Sequence, residues 1–390
     1  MCRWGVVAEK SLYGNNDKKG GRNLDNPFLK GSVETGGQYL TPECSVNKIR
    51  LAKLPVRGVD DAIEGLTVKE FFSNKLIISD IKKNADALHI DIGSVHEKKL
   101  PHMLNLKADD DADPSGAAAA REIMTKFGNR LGLMLLSLKL GEMENREARP
   151  DWNERHWDYW AQVSDIVLVG GLASGRFGEI LREQVEYVFA LADVKPYRIL
   201  LYKNAPQAAL LGCASCIKGG DGVYVVMDFG QTGIKRSCLV KRSGEIESVR
   251  QLESLPSKYM EWNDESGSET EHQAKQLHAY LVSAAESAYL EASREMKAEP
   301  QGELVISVAS YTKDGALNSA RSGYAKLCTL GANYAEILAW ELSGRFRRDI
   351  TVRLIHDGTA VALNFNNRKD TVCLSVGSYF GIGFPETKIV

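Results

Sequence analysis

Apolar residues follow helical spacing over one long stretch of the first half of the chain. After Asp113 and Pro114, apolar positions recur every three or four residues up to Leu140. This spacing predicts an amphipathic helix, with Asp113 as its N-terminal cap and Pro114 in its first turn. We therefore expect one long helix over residues 113–140.

A second pattern joins a strand to a glycine turn. Residues 165–169 are largely apolar and lead into Gly170 and Gly171, after which residues 177–191 return to helical spacing. The order of strand, glycine turn and helix is typical of α/β units that contact nucleotides. The turn at Gly170 and Gly171 is therefore a candidate nucleotide contact.

The remaining pattern alternates between strands and helices. Residues 142–160 are predicted to form a charged, tryptophan-rich connection, and residues 263–271 an exposed acidic loop. Such alternation indicates α/β layers with largely parallel sheets. Further strands are predicted at 197–202, 304–308, 351–355 and 372–376, and further helices at 205–215, 272–296 and 334–342.

The composition is typical of a globular protein with two lobes. The chain has 390 residues, of which 44% are hydrophobic and 26% charged, which is enough for two separate cores. Its 49 basic and 51 acidic residues give a net charge of -2 without a long basic block. This balance argues against nucleic-acid and membrane partners and favours a small-molecule partner.

Targeting signals and cysteines add few constraints. The first ten residues lack the apolar core of a secretory signal, and no apolar run reaches the roughly 18 residues that span a bilayer. A cytoplasmic location is therefore expected.

Of the seven cysteines, only Cys213 and Cys216 have CxxC spacing, and no second pair completes a zinc site. We therefore expect the cysteines to be buried thiols.

One hairpin, at residues 224–235, has the composition of a phosphate site. Glycine lets backbone N–H groups approach phosphate oxygens, a threonine hydroxyl donates to them, and a carboxylate orients hydrated Mg²⁺. An ordinary hairpin with a solvated lysine remains the alternative, because glycine turns after strands are common. The candidate cofactor-binding residues of this hairpin are Asp228, Gly230, Gln231, Thr232 and Lys235.

Three segments that follow the hairpin resemble the ROK family of sugar kinases. Residues 304–308 and 311–315 resemble the family's strand and substrate loop. Residues 351–363 resemble the strand and helix that bear its catalytic aspartate, and residues 371–383 resemble its second phosphate loop, usually written GTGxGxG. These segments follow the hairpin in the family's order.

The other parts of the family's pattern are found at the beginning of the chain. Residues 4–8 resemble a returning strand, the helix at 113–140 resembles the one before the nucleotide site, residues 167–171 resemble the adenosine motif, and residues 205–215 resemble the closing helix. The resemblance therefore implies an α/β, two-lobed actin-like ATPase (ribonuclease H-like) fold with mixed sheets flanked by helices, circularly permuted.

The same resemblance implies the extent of each lobe. The adenosine-side lobe is expected to comprise residues 1–205 plus 370–390. Residues 206–369 are then the lobe with the phosphate hairpin and the catalytic aspartate. Chain ends of compact domains often lie close together, which makes such a rearrangement physically easy.

The resemblance also implies ATP-dependent phosphorylation of a sugar or amino-sugar hydroxyl. Asp357 is then the general base, and Asp228 holds Mg²⁺ through water. ATP and Mg²⁺ are the expected cofactors, a small-molecule sugar is the expected substrate, and a homodimer is one option for assembly. The other implied site residues are Gly377, Ser378 and Gly381 in the second phosphate loop, Gly170 and Gly171 at the adenosine, and Ser310, Asp314 and His356 at the substrate.

Several residues depart from the family's pattern. His356 replaces the asparagine before the catalytic aspartate, and Tyr379 replaces a glycine of the second phosphate loop. Ala309 and Ser310 replace a Pro-Gly pair, and the family's zinc-binding cysteine cluster is absent. A non-catalytic sugar or nucleotide sensor, a degenerate kinase and an ATPase without a sugar acceptor stay open, with Asp357 then serving as a helix cap.

Overall fold

The structure is a computed structural model that describes residues 25–261, 267–319 and 323–389. Within these residues, unit 1 comprises residues 25–42, 208–364 and 387–389, and unit 2 comprises residues 43–207 and 365–386. The strand predicted at residues 4–8 lies outside the described residues. Each unit is a compact mixed α/β body with a sheet of its own.

The described residues contain helices and strands in alternation. The helices are α1 (Val68–Phe71), α2 (Asn74–Lys83), α3 (Ala85–Leu88), α4 (Leu100–Lys107), α5 (Pro114–Leu140), α6 (Met143–Glu147), α7 (Glu154–Gln162), α8 (Gly175–Leu191), α9 (Ala208–Ser215), α10 (Gly267–Met296), α11 (Tyr334–Phe346) and α12 (Asp357–Ala362). The strands are β1 (Asp165–Val169), β2 (Arg198–Leu201), β3 (Gly222–Phe229), β4 (Gly233–Arg242), β5 (Glu245–Gln251), β6 (Leu255–Pro256), β7 (Glu303–Val308), β8 (Thr312–Lys313), β9 (Ala316–Leu317), β10 (Thr351–His356), β11 (Thr371–Val376) and β12 (Phe380–Gly383).

The main sheet of unit 1 has the strand order β10-β7-β3-β4-β5. Strands β3, β7 and β10 are parallel, and β4 and β5 complete an antiparallel meander. Val225, Met227 and Phe229 belong to the core that β3 shares with α10. Side chains alternate along a strand, so Asp228 faces the opposite side of the sheet, where α9 contacts β3 and β7.

A close helix crossing lies on the Asp228 side of this sheet. Helix α9 packs against α12, and a Cβ at Gly212 would overlap the carbonyl oxygen of Ala360. A larger residue at Gly212 would force the two backbones apart. The small residues of α9 therefore fix where α12, and Asp357 at its first position, lies beside β3.

The sheet of unit 2 has the order β12-β11-β1-β2, in which β11, β1 and β2 are parallel. Helix α5 begins where the spacing predicts, and the Asp113 side chain accepts a hydrogen bond of 3.1 Å from the Gly116 N–H. Helix α8 packs closely on α5, since a Cβ at Gly132 would lie 2.8 Å from the Val188 Cβ.

Three local predictions differ from the structure. Residues 267–271 are helical rather than a loop, and Glu269 lies in the first turn of α10, where a negative charge is favourable. The connection at 142–160 contains α6 and α7, because its tryptophans Trp152, Trp157 and Trp160 are buried and pack the segment into unit 2.

The third difference concerns the segment before residue 43. Residues 25–42 cluster with unit 1, whereas the expected lobes assign them to the adenosine side. The Gln38 N–H donates to the Lys388 carbonyl at 2.7 Å, and the Lys313 ammonium lies 5.0 Å from the centre of the Tyr39 ring. These contacts join the segment to other parts of unit 1.

In the part of the chain that the structure describes, no helix is long and apolar enough to cross a membrane.

Candidate functional site

Asp228 is a buried carboxylate near the carboxyl end of β3. In the sheet register it pairs with Ser307 on one side and with Lys235 on the other. The Ser307 hydroxyl donates to Oδ1 at 2.6 Å, and the Lys235 ammonium lies 3.2 Å from Oδ2. The ammonium and the hydroxyl partly offset the cost of burying this charge.

The turn after Asp228 is held by contacts on several sides. The Gly230 N–H donates to the Gly233 carbonyl at 3.1 Å, so this amide is used in closing the hairpin. The Gly230 carbonyl accepts from the Ser257 hydroxyl at 2.7 Å and from the Tyr324 hydroxyl at 2.9 Å. Any amide contact to a ligand at this turn would therefore come from its exposed tip, residues 231 and 232.

That tip is anchored by one of its own side chains. The Gln231 side-chain amide donates to the Ala309 carbonyl at 3.1 Å, just beyond β7. The Thr232 carbonyl accepts from the Ser257 N–H at 3.3 Å. Two predicted cofactor residues, Gln231 and Thr232, thus lie on a turn with a fixed backbone.

Asp357 begins α12, directly after the last residue of β10. Its Oδ1 accepts a hydrogen bond of 2.6 Å from the Gly358 N–H and lies 3.2 Å from the His356 Nε2. Among the described residues, its Oδ2 accepts no hydrogen bond. One oxygen of the carboxyl group is therefore anchored, and the other is open.

His356 lies beside Asp357 as a neutral imidazole. Burial lowers the pKa of His356 to about 3, so the ring carries no charge near neutral pH. Its Nδ1 accepts from the Thr359 N–H at 3.4 Å, which assigns the ring proton to Nε2, facing Asp357. The Tyr311 ring stacks on the imidazole with centroids 4.5 Å apart and holds its plane.

The Asp357 carboxyl group is electrostatically perturbed. Burial, and then repulsion from the Asp228 carboxylate, raise the pKa of Asp357 to about 7, while the Gly358 N–H and the Lys235 ammonium act in the opposite direction. Its side chain keeps 37% of its surface exposed, so it is desolvated by its surroundings yet remains reachable. A carboxyl group with a pKa near 7 can gain and lose a proton at neutral pH.

The predicted substrate residues divide between two places. Asp314 and His356 both line a cavity of about 430 Å³ within unit 1. Ser310 is buried, its N–H donates to the Val308 carbonyl at 2.7 Å, and it is not part of the cavity wall. The structure thus brings Asp314 and His356 together but leaves Ser310 apart.

The predicted glycine contacts of unit 2 lie at the ends of two adjacent parallel strands. Gly170 follows β1 with a φ of 98°, and a Cβ there would overlap the Val376 carbonyl oxygen at the end of β11. Only glycine suits this position. A Cβ at Gly171 would meet no atom within 4 Å, and one at Gly377 would meet only the Tyr379 carbonyl oxygen, at 3.9 Å. Both turns therefore have open space at their backbones.

The rest of the second glycine loop is a hairpin between β11 and β12. Gly381 pairs with Ser375 across the hairpin, and Ser378 is half-buried in its turn. Tyr379 is 43% exposed, and the Lys69 ammonium lies 5.2 Å from the centre of its ring. The side chain that replaces the family's glycine is thus packed beside Lys69.

The charges around Asp228 fit a magnesium ion held through water. Among the described residues, no group of three or more His, Cys, Asp or Glu side chains has the arrangement of a metal cage. Magnesium is commonly bound by one or two carboxylates together with phosphate oxygens and water, which requires no such cage. The negative charge of Asp228 repels the Asp357 carboxylate and raises its pKa. A cation beside Asp228 would offset this repulsion.

Sequence reasoning did not find the residues that support these groups. Ser307, Ser257 and Tyr324 fix Asp228 and its turn from distant parts of the chain. Ser307 alone carries a sequence signal, as a polar residue within the apolar strand at 304–308.

Comparisons with known proteins add little to this geometry. No protein-family model matches the chain, and no curated protein matches it. Among solved structures, an exopolyphosphatase from Cytophaga hutchinsonii is similar at 13% identity and a TM-score of 0.23, over 48% of this chain and 51% of that one. An exopolyphosphatase-like protein is similar at 10% identity and a TM-score of 0.25, over 60% of this chain and 86% of that one.

The matched region spans about half of the Cytophaga protein. TM-scores of 0.23 and 0.25 are too low to establish a shared fold.

Proposed function

We propose that this protein transfers a phosphoryl group from ATP to a hydroxyl group of a small sugar or amino-sugar acceptor, with Asp357 as the general base. One observation carries the proposal. Asp357 has one anchored oxygen and one open oxygen, and its pKa is raised to about 7 by burial and by Asp228. A base for a hydroxyl group needs this combination of orientation, access and proton affinity.

The neighbouring residues suit that role. The His356 Nε2 lies 3.2 Å from Asp357 Oδ1, and burial lowers the pKa of His356 to about 3, so the imidazole does not compete for the proton. The open Oδ2 of Asp357 would accept the hydroxyl proton as the acceptor oxygen attacks the γ-phosphorus, while the bond from that phosphorus to the bridging oxygen breaks and ADP leaves.

The phosphate end of the reaction would rest on the β3–β4 hairpin. Asp228 would hold Mg²⁺ through its water shell, and Lys235 would add positive charge near the phosphates. Bound Mg²⁺ would supply screening of phosphate charge. The turn at Gln231 and Thr232 is the proposed contact to the phosphates.

The strand order supports a permuted actin-like ATPase fold. In unit 1, three antiparallel strands, β5, β4 and β3, are followed by two parallel strands, β7 and β10, which is the order of the ribonuclease H-like sheet. In unit 2, β11 and β12 pair as β3 and β4 do, and β1 and β2 correspond to β7 and β10. In unit 2, β11 and β12 are the first two strands of this pattern, yet they come last in the chain. A circular permutation of the sequence would produce this order.

The assay for this proposal uses purified protein with Mg-ATP and a panel of hexoses and amino sugars, monitored for ADP. At least one sugar should stimulate ADP release, and Asp357→Asn should lower the stimulated rate by about 10²–10⁴-fold, because the general base is lost. Asp349→Asn, an exposed carboxylate in the loop before β10, is the matched control and should keep full activity.

Other outcomes would replace the proposal. ADP release that no sugar increases would indicate an ATPase without a sugar acceptor. Nucleotide binding without any turnover would favour a sensor or a degenerate kinase. An Asp357→Asn protein as active as the Asp349→Asn control would show that Asp357 is not the base.

A further inference from the structure

The outer face of α11 carries the most exposed large apolar side chain among the described residues. Trp340 keeps 77% of its surface exposed. The opposite face of the helix, with Tyr334, Leu338 and Leu342, is buried in the core of unit 1. Tryptophan is the residue type most often found at the centre of protein interfaces. Packing within the chain therefore does not account for Trp340, whereas a contact with another molecule would.

A glycine lies one turn further along the same face. Gly344 belongs to the last turn of α11, and a Cβ at this position would meet no atom within 4 Å. Glycine is unfavourable in a helix relative to alanine. Gly212 has a reason within the chain, since a Cβ there would overlap the Ala360 carbonyl oxygen. Gly344 has no such reason among the described residues, and it leaves a flat area beside Trp340.

Two charged residues without ion pairs lie at the two ends of this face. Glu336 is in the first turn of α11, and Arg347 follows its last residue. Among the described residues, neither forms an ion pair, although the guanidinium of Arg345 pairs with Glu341 at 3.1 Å and with Glu286 at 3.0 Å. The face therefore has one unpaired negative charge at its start and one unpaired positive charge at its end.

These residues form one stripe along the helix. Glu336, Trp340 and Gly344 are spaced four residues apart, so they share a face. Arg347 is three turns from Glu336 and lies on the same side. At a rise of about 1.5 Å per residue, Glu336 is about 6 Å before Trp340, and Arg347 is about 4.5 Å after Gly344.

The two spacings make the stripe complementary to a second, antiparallel copy of itself. If Trp340 lies on Gly344 of the second copy, Glu336 comes level with Arg347 of that copy to within about 1.5 Å along the axis. Two-fold symmetry repeats both contacts. A single register thus buries both indole rings and pairs all four charges.

We propose that this protein forms a homodimer through α11, in which Trp340 of each copy packs on Gly344 of the other and Glu336 pairs with Arg347 of the other. The order of the charges selects a second copy of this chain, because the stripe is complementary to itself. One helix from each copy is a small interface, so the dimer is weak. The dimer does not depend on the proposed phosphoryl transfer.

Sedimentation velocity of the full chain without nucleotide tests the dimer. The weight-average sedimentation coefficient should rise with protein concentration between about 1 and 100 µM, as for a micromolar dimer. Trp340→Ala should weaken the association by at least about tenfold, because it removes the central contact. Met143→Ala is the matched control: Met143 is also apolar and 72% exposed, but it lies in α6 of unit 2, and the variant should associate like the unmodified chain.

A variant at the glycine separates the interface from the fold. Gly344→Gln introduces a side chain that has space within the chain and favours the helix, so its melting temperature should not fall. The same side chain would occupy the place of Trp340 of the second copy and should weaken the dimer by at least about tenfold.

Charge reversal tests the antiparallel pairing. Glu336→Arg and Arg347→Glu each place like charges opposite one another, and each should weaken self-association by about twofold to fivefold at low salt. In an equimolar mixture of the two variants, every arginine of one protein meets a glutamate of the other. The mixture should therefore associate about as well as the unmodified chain.

The proposal is overturned if the chain stays monomeric over this concentration range, or if folded Trp340→Ala associates like the Met143→Ala control. It is also overturned if the mixture of charge variants associates no better than either variant alone. Because no nucleotide or sugar is present, each of these failures is distinct from failure of the proposed function.

Discussion

At the residue scale, His356 places a neutral nitrogen beside the carboxyl group of Asp357, at the position where the resembling family has asparagine. A buried neutral imidazole has one N–H donor, and here the Thr359 N–H occupies Nδ1. The other nitrogen, Nε2, lies 3.2 Å from Asp357 Oδ1. An asparagine side chain would offer an N–H donor of the same kind. Either residue therefore puts a neutral polar group next to the carboxyl group.

A pair of variants at this position separates a polar contact from packing. His356→Leu removes the nitrogen 3.2 Å from Asp357 Oδ1 and should lower kcat by about tenfold, because Asp357 loses the polar neighbour that helps to position it. His356→Asn should recover a large part of that loss. The Michaelis constant for ATP should change little in either variant, since the imidazole positions the base and is not a proposed nucleotide contact. Equal kcat values for the two variants would rule out a positioning role.

The charges around Asp357 predict that two other variants shift its pKa in opposite directions. Asp228→Asn removes the repelling carboxylate and should lower the pKa of Asp357 from about 7, whereas Lys235→Met removes a favourable cation and should raise it. Carbon-13 NMR titration of the Asp357 carboxyl carbon measures both. Shifts in the same direction, or none, would contradict the electrostatic coupling between these groups.

At the element scale, α5 shows how far local sequence reasoning extends. Its cap and its first-turn proline are local features, and the helix begins where they predict. Asp113→Ala should lower the free energy of unfolding by about 1 kcal/mol, because the Gly116 N–H loses its acceptor. Urea unfolding followed by tryptophan fluorescence measures the loss. Asp111→Ala, in the exposed turn before the helix, is the control and should be near neutral.

Most strands and helices could be predicted because each carries its own periodicity. Asp228 and Asp357 were also recognisable, since each follows or ends an apolar strand. The supports of the site could not be predicted, because Tyr324 is far along the chain from the turn that it holds. The placement of residues 25–42 depends likewise on a partner, Lys388, at the other end of the sequence. Contacts of such long sequence separation leave no local pattern.

At the scale of the whole molecule, the two units repeat one pattern of strand pairing. The pair β3 and β4 in unit 1 corresponds to β11 and β12 in unit 2, and in each unit two further parallel strands follow on one side. This repetition supports the proposed rotation of the sequence, in which unit 2 is built from two separate stretches of the chain, residues 43–207 and 365–386. The sequence suggested the rotation through the position of the Asp228 hairpin and through the segments at 4–8, 113–140, 167–171 and 205–215, which resemble the rest of the family's pattern.

The dependence of sugar-stimulated ADP release on pH tests the central claim most directly. A base whose pKa is raised to about 7 in the free protein must lose its proton to act, so kcat/KM should rise with pH through a midpoint near 7. In Asp228→Asn the midpoint should move to lower pH, together with any loss of rate. A midpoint near 4 in the unmodified protein, or one that Asp228→Asn leaves unmoved, would contradict Asp357 as the general base.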